Sequence, residues 1–248
     1  VLSAAAKLNV PTIVHEQNSI PGITNKFLSK YVDKVAVAFE AAKPFFPESK
    51  TVFAGNPRAQ EVATLKATDI LETEYQLQKS KKTVVIFGGS RGAQTINEAV
   101  KAALPKFAEA DYQIVYASGQ IYFDEDHEEF EKYADAANIA IRPYISNMLE
   151  VLASSDLILC RAGATTIAEI TALGLPTIFV PSPNVTADHQ TKNAQALVDI
   201  GAAKMIKDVN LTADTMLASI SEIFSDEELY QAMSVASEKA GVPDASDR

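Results

Sequence analysis

A glycine-rich turn, F-G-G-S-R-G-A-Q at residues 87–94, is the clearest group of residues that could bind a ligand. It follows the β-type run Thr83–Phe87 and opens a predicted helix at about 92–109. Glycine permits positive φ angles and a close backbone approach, and free N–H groups at a helix start attract phosphate. Ser90 could cap this helix or donate to an oxygen of the ligand. The spacing is neither Walker-type nor G-x-G-x-x-G, so a tight turn without a ligand stays an alternative.

A second group, C-R-A-G-A-T-T-I-A-E at residues 160–169, follows another apolar run and begins another predicted helix. Gly163 allows a close backbone approach, while Thr165 and Thr166 place hydroxyls on the first helical turn. Glu169 lies one turn further along, where a carboxylate near the ends of parallel strands can accept both hydroxyls of a ribose. The alternative for Glu169 is an acid that only complements the positive end of the helix dipole.

A third group, V-P-S-P-N-V-T-A-D-H-Q-T-K-N-A at residues 180–194, contains a loop that enters a helix at His189 and Gln190. Gln190 could hydrogen-bond sugar hydroxyls, or it could merely satisfy the loop. All three groups follow strand-like runs, and open parallel sheets bind ligands at the carboxyl ends of their strands. Their coincidence in one domain therefore favours a nucleotide-sugar site.

A fourth group, H-E-Q-N-S-I-P-G at residues 15–22, ends an earlier strand-like run. His15, Glu16 and Asn18 cluster there, where two domains could face each other. His15 could act as a general base, although a histidine at a strand end is more often structural.

Short β-branched or apolar runs recur along the chain, and most are unbroken, as in strands that are buried on both faces. They lie at 11–15, 35–39, 51–54, 83–87, 113–117, 139–142, 157–160 and 177–180. Helical patterns separate many of them, at about 92–109, 123–137, 164–173 and 189–200, and two amphipathic helices fill 212–240. This alternation predicts an α/β fold with parallel sheets and right-handed crossovers.

The polar segment 64–82 contains no strand-like run and separates two groups of strands, which predicts a domain boundary near Gly55–Pro57. Residues 1–57 would be the end of an N-terminal domain, and 58–240 would be a complete doubly wound domain. Residues 241–248 would begin a further segment. The chain opens without Met on what reads as the tail of a helix, so we expect a piece of a longer protein.

Composition narrows the classes of function. The 248 residues are 47% hydrophobic and 22% charged, as in ordinary soluble globular proteins. The net charge of −10 argues against a nucleic-acid partner and gives no global attraction to an anionic membrane. The single cysteine, Cys160, rules out a disulfide within the chain, and no apolar run reaches the ~18 residues of a spanning helix.

Five strings together resemble one family over almost the whole chain. They are H-E-Q-N-S-I-P-G-I-T-N-K, G-N-P-R, G-G-S-R-G-A, R-A-G-A-T-T-I-A-E and D-H-Q-T-K-N-A. The family is the UDP-N-acetylglucosamine:undecaprenyl-pyrophosphoryl-muramoyl-pentapeptide N-acetylglucosaminyltransferases, MurG. The resemblance implies a GT-B architecture of two Rossmann-like parallel-sheet domains, of which this chain holds an incomplete N-terminal one and a donor-binding C-terminal one.

The resemblance also implies roles for particular residues toward UDP-N-acetylglucosamine. Ser90 would contact the donor beside its phosphates, and the main chain of Ile145 would read the uracil edge. Glu169 would hold the ribose diol, and Gln190 would contact the sugar.

Other donor contacts implied by the resemblance come from a loop and from the side of the cleft between the two domains. The loop 162–168 would cover the phosphates, and Asn18 and Arg58 would reach the donor from the inter-domain side. The implied binding residues at the start of this loop and its helix are Arg161, Ala164, Thr165 and Thr166.

The activity implied is inverting transfer of N-acetylglucosamine to the muramoyl 4-hydroxyl of the lipid-linked pentapeptide in peptidoglycan synthesis, without metal or cofactor. The family's G-G-T-G-G-H loop is absent from this sequence, so we expect the donor site without a whole active site. The general base is then unassigned, and His15 or Glu16 could only assist. Alternatives are a UDP-N-acetylglucosamine 2-epimerase and a non-catalytic nucleotide-sugar binding module.

The lipid-linked acceptor implies work at the cytoplasmic face of the bacterial cell membrane as a peripheral protein. Lys26, Phe27 and Lys30 lie on a predicted helix at 22–30 and could touch anionic lipid. The alternative is a solvated helix face.

Overall fold

The first of two parallel sheets is built from the N-terminal part of the chain in this computed structural model, which describes residues 1–89 and 91–248, the side chain of Thr186 excepted. Its strands, in the order β1-β2-β3, are β1 (Ile13–Glu16), β2 (Lys34–Val37) and β3 (Thr51–Phe53). Helix α1 (Leu2–Lys7) precedes β1, and α2 (Ile23–Leu28) connects β1 to β2. Valines from β1 and β2 form a small core.

The second sheet has six parallel strands in the order β6-β5-β4-β7-β8-β9. These strands are β4 (Thr83–Phe87), β5 (Gln113–Ala117), β6 (Ile139–Arg142), β7 (Leu157–Cys160), β8 (Thr177–Phe179) and β9 (Ala203–Met205). The chain winds outward from β4 to β6, then returns to the other side of β4 to form β7. This doubly wound order leaves a crevice at the carboxyl ends of β4 and β7, where such sheets bind ligands.

Helices cover both faces of the second sheet. They are α3 (Arg58–Ala63), α4 (Ile70–Thr73), α5 (Gln94–Ala108), α6 (Gln120–Glu125), α7 (His127–Glu131), α8 (Met148–Ala153), α9 (Ala164–Ala172), α10 (His189–Val198), α11 (Ala213–Ser225) and α12 (Glu227–Ala240). Val84 and Ile86 of β4 pack with residues of α5 and α11, whereas Val85 and Phe87 pack with residues of α8, α9 and α10. Burial on both faces explains why the strand runs are unbroken.

The structure confirms the α/β class and the parallel sheets, and corrects several elements. Strand β9, at the edge of the second sheet, was not predicted, because its sequence A-K-M has a lysine in the middle and forms no apolar run. The single helix predicted at 123–137 is wrong: α6 and α7 meet at Asp126, where the backbone leaves helical geometry. Lys101 forms an ion pair with Asp126 at 2.6 Å, which holds this junction against α5.

The two sheets are joined by three kinds of contact. Helix α3 packs against α9, and buried hydrogen bonds link the loop after β1 to α10. After α12 the chain returns to α3, where Gln60 accepts a hydrogen bond from the N–H of Ser246 at 2.7 Å. Residues 241–248 therefore lie against the junction between the sheets. Within 1–89 and 91–248, no helix is both long and apolar enough to cross a membrane.

Candidate functional site

A polar cleft of about 550 Å³ lies at the carboxyl ends of β4, β7 and β8, at the point where the strand order reverses. Loops after these strands and the starts of α5, α9 and α10 form its walls. Three of the predicted site residues line it, namely Arg161, Thr166 and Gln190. The crevice expected from the strand order and the residues expected from the sequence thus coincide.

The glycines of the turn after β4 have two different roles. Gly92 has a φ of 75°, and a Cβ there would lie 2.2 Å from the carbonyl oxygen of Ser118, so only glycine fits. Gly89 has a φ of 95°, but a Cβ there would meet no atom within 4 Å. Gly92 therefore serves packing, whereas Gly89 presents open backbone to the cleft. Ser90, predicted to contact the donor, lies outside the described residues.

The helices α5 and α9 both begin at the cleft, since Gln94, Thr95, Gly163 and Thr166 line it. Their N-cap residues are Ala93 and Gly163, and neither provides a side chain that caps the first turn. The first N–H groups of a helix carry partial positive charge and need acceptors. Two uncapped helix starts at one cleft form an arrangement suited to an anion such as a diphosphate.

Arg161 is anchored in the wall of this cleft. Its Nη1 donates to the carbonyl oxygens of Val180, at 3.0 Å, and Pro181, at 3.2 Å, and forms an ion pair with Asp208. The second carboxylate oxygen of Asp208 accepts a 2.9 Å hydrogen bond from Thr95. One carboxylate thus connects the end of β7 to the start of α5.

Glu169 and Arg58, both predicted to bind the donor, contact each other. Arg58 Nε donates to Glu169 Oε1 at 2.7 Å, and the guanidinium also pairs with Glu61 on its own helix. The pKa of Arg58 is raised, chiefly because of its hydrogen bond to Glu169. The Glu169 side chain is only 12% exposed, so the pair is partly shielded from water. Glu169 therefore forms an ion pair with Arg58, which is more than the interaction with its helix dipole that the alternative proposed.

The loop after β1 is stabilised by Glu16. Its buried carboxylate accepts hydrogen bonds from the N–H groups of Asn18 and Gly22, both at 3.0 Å, and from Asn25 Nδ2 at 2.9 Å. His15 Nε2 contacts the carbonyl oxygen of Gly55 at 2.8 Å. These contacts give both candidate bases a structural role in this arrangement.

Asn18 contacts the second sheet through α10. Its Oδ1 accepts a 3.1 Å hydrogen bond from Asn193 Nδ2, and Asn193 Oδ1 accepts from both the N–H and the hydroxyl of Ser19. Asn193 Nδ2 also lies 3.4 Å from the carbonyl oxygen of Ala162, at the start of the loop before α9. Asn193 thus connects Asn18 to the start of the loop before α9.

The remaining predicted residues have separate positions around the cleft. Gln190 Oε1 accepts from the N–H of Ser182 at 2.9 Å and so fixes the loop before α10. Thr165 is exposed, and Ala164 lines a second, mostly apolar cavity of about 540 Å³ between the two sheets. Ile145 is buried after β6, yet its main-chain N–H and C=O have no hydrogen-bond partner among the described residues.

Sequence reasoning missed two residues of the site. Asn193 lies in the string D-H-Q-T-K-N-A at residues 188–194, but nothing in the sequence indicated that it would contact Ser19. Asp208 follows β9 by three residues, and recognition of that short strand would have placed it at the ligand edge. The described part of the chain holds no group of three or more His, Cys, Asp or Glu side chains placed to bind a metal ion.

Comparison with known proteins gives consistent matches over the whole chain. Residues 83–248 match the Glycosyltransferase family 28 C-terminal domain, and residues 1–37 match the Glycosyltransferase family 28 N-terminal domain. The UDP-N-acetylglucosamine--N-acetylmuramyl-(pentapeptide) pyrophosphoryl-undecaprenol N-acetylglucosamine transferase of Lactococcus lactis subsp. lactis is 58% identical over all of this chain and 68% of its own length. The protein of the same name from Bacillus cytotoxicus is 51% identical, with the same coverage. The chain thus spans about two thirds of these relatives.

Solved structures agree with these matches. The crystal structure of Acinetobacter baumannii MurG has a TM-score of 0.76 at 33% identity, covering 98% of this chain and 66% of that one. The S. aureus MnaA–UDP structure has a TM-score of 0.73 at 18% identity, covering 98% and 68%, and this likeness shows the fold alone. With two family 28 domains matched and relatives more than half identical over its full length, the chain belongs to the MurG family of glycosyltransferases.

Proposed function

We propose that this chain binds UDP-N-acetylglucosamine in the polar cleft and forms the donor-binding part of an inverting N-acetylglucosaminyltransferase of peptidoglycan synthesis. The observation that carries the proposal is the meeting of two uncapped helix starts, α5 and α9, at the switch point of the sheet. The relatives named above are N-acetylglucosamine transferases, in agreement with this activity.

The proposed donor pose follows the positions of the polar groups. The diphosphate lies at the starts of α5 and α9, near Gly89, Thr165 and Thr166, because no N-cap side chain bonds the first N–H groups of either helix. The ribose lies against Glu169, and the uracil edge pairs with the main chain of Ile145, whose buried N–H and C=O have no partner among the described residues. These placements orient the anomeric carbon toward the first sheet.

The sugar end of the donor would face both halves of the chain. Gln190 Nε2 can donate to a sugar hydroxyl, since the amide oxygen is already bonded to Ser182. Asn18 approaches from the loop after β1, and Arg58 approaches from the start of α3. We further propose that residues 1–57 belong to the acceptor-binding domain, that 58–240 form the donor domain, and that 241–248 lead back toward the first.

The reaction requires stabilisation of negative charge. When the muramoyl 4-hydroxyl of the lipid-linked acceptor attacks the anomeric carbon, the C–O bond to UDP breaks and charge develops on the diphosphate. Fixed N–H groups and helix dipoles at α5 and α9 favour this charge without reorganisation. The attacking hydroxyl also loses a proton to a general base, which we do not assign to Glu16, because it stabilises the loop after β1, or to His15, because its ring contacts the carbonyl oxygen of Gly55.

A membrane-facing surface is proposed around α2. Ile23, Phe27 and Phe45 are 85%, 53% and 47% exposed, and Lys26 Nζ lies 4.6 Å from the Phe45 ring centre. Apolar side chains beside lysines are suited to an anionic bilayer surface, here the cytoplasmic face of the cell membrane. We expect the chain to sediment with phosphatidylglycerol vesicles, and the double variant Ile23→Ser with Phe27→Ser to stay in the supernatant. Equal sedimentation of both proteins would contradict this surface.

The transferase is tested by UDP release from the full-length enzyme with and without lipid acceptor. Acceptor-dependent release is expected, together with UDP binding by this chain in calorimetry. Acceptor-independent interconversion of the sugar would instead indicate a 2-epimerase, whose solved examples share the fold at 17% identity or less. Donor binding without release would indicate a binding module. Failure of the folded chain to bind UDP would overturn the donor site itself.

A further inference from the structure

We propose that Asp208 is a positioning residue of the donor site, which aims the guanidinium of Arg161 at the donor's diphosphate and holds the start of α5 beside it. The inference rests on the function proposed above. Asp208 is not on any of the five strings that identify the family, and it enters the cleft from the loop after β9.

The first support is the way in which Arg161 is held. Its hydrogen bonds to Val180, Pro181 and Asp208 are all made by one nitrogen, Nη1. The Nε and Nη2 donors have no hydrogen-bond partner among the residues that the structure describes. A guanidinium is a rigid planar fork, so fixing one nitrogen fixes the direction of the others. Arg161 lines the cleft, and its free donors are those that a phosphate oxygen can accept from.

The second support is the other oxygen of the same carboxylate. Asp208 Oδ2 accepts the Thr95 hydroxyl at 2.9 Å, and Thr95 is on the first turn of α5, whose N–H groups open on the cleft. Asp208 therefore connects two different diphosphate-facing groups, a cation and a helix start. Its side chain is 17% exposed and that of Arg161 is 15%, so both are substantially shielded from solvent.

Charge alone predicts the opposite effect from positioning. A carboxylate beside a diphosphate repels it, so removing the charge of Asp208 should tighten UDP binding if charge dominates. If positioning dominates, the same change releases Arg161 and Thr95, and UDP binding should weaken. The sign of the change therefore separates the two explanations.

The test is Asp208→Asn in this chain, with the affinity for UDP measured by calorimetry and that for uridine by NMR titration. We expect UDP binding to weaken about tenfold, as for loss of a charged hydrogen bond, with uridine binding unchanged because uridine has no phosphate. Asp208→Glu should recover part of the loss. Asp214→Asn is the matched control, since Asp214 pairs with Lys106 of α5 at 2.9 Å but is 83% exposed.

Equal or tighter UDP binding by Asp208→Asn would overturn the proposal, as would an equal loss for UDP and uridine. Should that variant fail to fold, Thr95→Val decides, because it breaks only the α5 contact and should weaken UDP alone by a smaller factor. An unchanged UDP affinity in a folded Thr95→Val would then overturn the link to α5. Failure of the wild-type chain to bind UDP would instead overturn the proposed function.

Discussion

At the scale of single residues, Glu169 gains a role that its position on a helix did not reveal. One carboxylate oxygen, Oε1, holds Arg58 at 2.7 Å, and the other has no hydrogen-bond partner in the described part of the chain. A carboxylate has acceptor capacity for both tasks. Glu169 can therefore join α3 to α9 and still accept a ribose hydroxyl.

Replacing Glu169 with Ala should weaken UDP binding more than it lowers stability. Loss of a charged hydrogen bond to a hydroxyl costs roughly 1.5–3 kcal/mol, whereas a helix-dipole effect is worth about 0.3–1 kcal/mol. Calorimetry with UDP and thermal unfolding of the same variant measure the two quantities.

The matched control for Glu169 is Glu61→Ala. Glu61 is the other partner of Arg58, but it lies on the same helix as Arg58 and its side chain is 63% exposed, against 12% for Glu169. We expect Glu61→Ala to leave UDP affinity within experimental error. A Glu169→Ala variant that melts earlier yet binds UDP normally would remove Glu169 from the ribose site.

At the scale of elements, the turn between β4 and α5 both packs against a neighbouring loop and borders the cleft. Gly92 is needed because the turn packs against the loop after β5, where Ser118 and Gly119 lie. Gly89 faces open space beside the same cleft. Packing therefore requires Gly92, whereas no packing contact requires Gly89, which we propose serves the ligand.

A pair of glycine variants separates these roles. Gly92→Ala should lower the melting temperature strongly, since Ala at positive φ costs about 1–2 kcal/mol before the clash with Ser118 is added. Gly89→Ala has the same backbone penalty without a clash, so it should melt later than Gly92→Ala while binding UDP more weakly than the wild type. Equal melting temperatures for the two variants would contradict this division of roles.

At the scale of the whole molecule, buried polar contacts fix the relation between the two sheets. Asn193 of α10 is fully buried and joins Ser19 and Asn18 of the first half to the second half. Buried amides of this kind are costly when unpaired, so they specify one arrangement of the parts that they connect.

Replacing Asn193 with Ala should loosen the first sheet more than the second. The change leaves the N–H and hydroxyl of Ser19 without their acceptor, at a cost of about 1–3 kcal/mol. Hydrogen exchange should accelerate in residues 1–57 while 83–240 stay protected. Gln195→Ala, on the same helix but in an exposed contact with Asp199, is the control. An equal acceleration of hydrogen exchange in both halves would contradict the view that Asn193 stabilises mainly the first sheet.

The elements that were predicted correctly from the sequence are those that a local pattern of residues specifies. The strands β4, β5, β6 and β7 were predicted with the bounds that the structure has, because burial on both faces demands an unbroken apolar run. Strand β9 was missed because its sequence A-K-M is not an apolar run, and α8 was missed because six residues are too few for a helical period to emerge. The three polar groups that border the second sheet were located correctly at strand ends for the same local reason.

What the sequence determined by itself is therefore the α/β class, the family and most of the segments that meet at the cleft. Only the tertiary structure decided which side chains pair: Arg161 with Asp208, 47 residues apart, Arg58 with Glu169, 111 apart, and Ser19 with Asn193, 174 apart. Local periodicity specifies an element and its buried face, since both depend on neighbours along the chain. Contacts across crossovers depend on how the elements pack, and that information is distributed over the whole core.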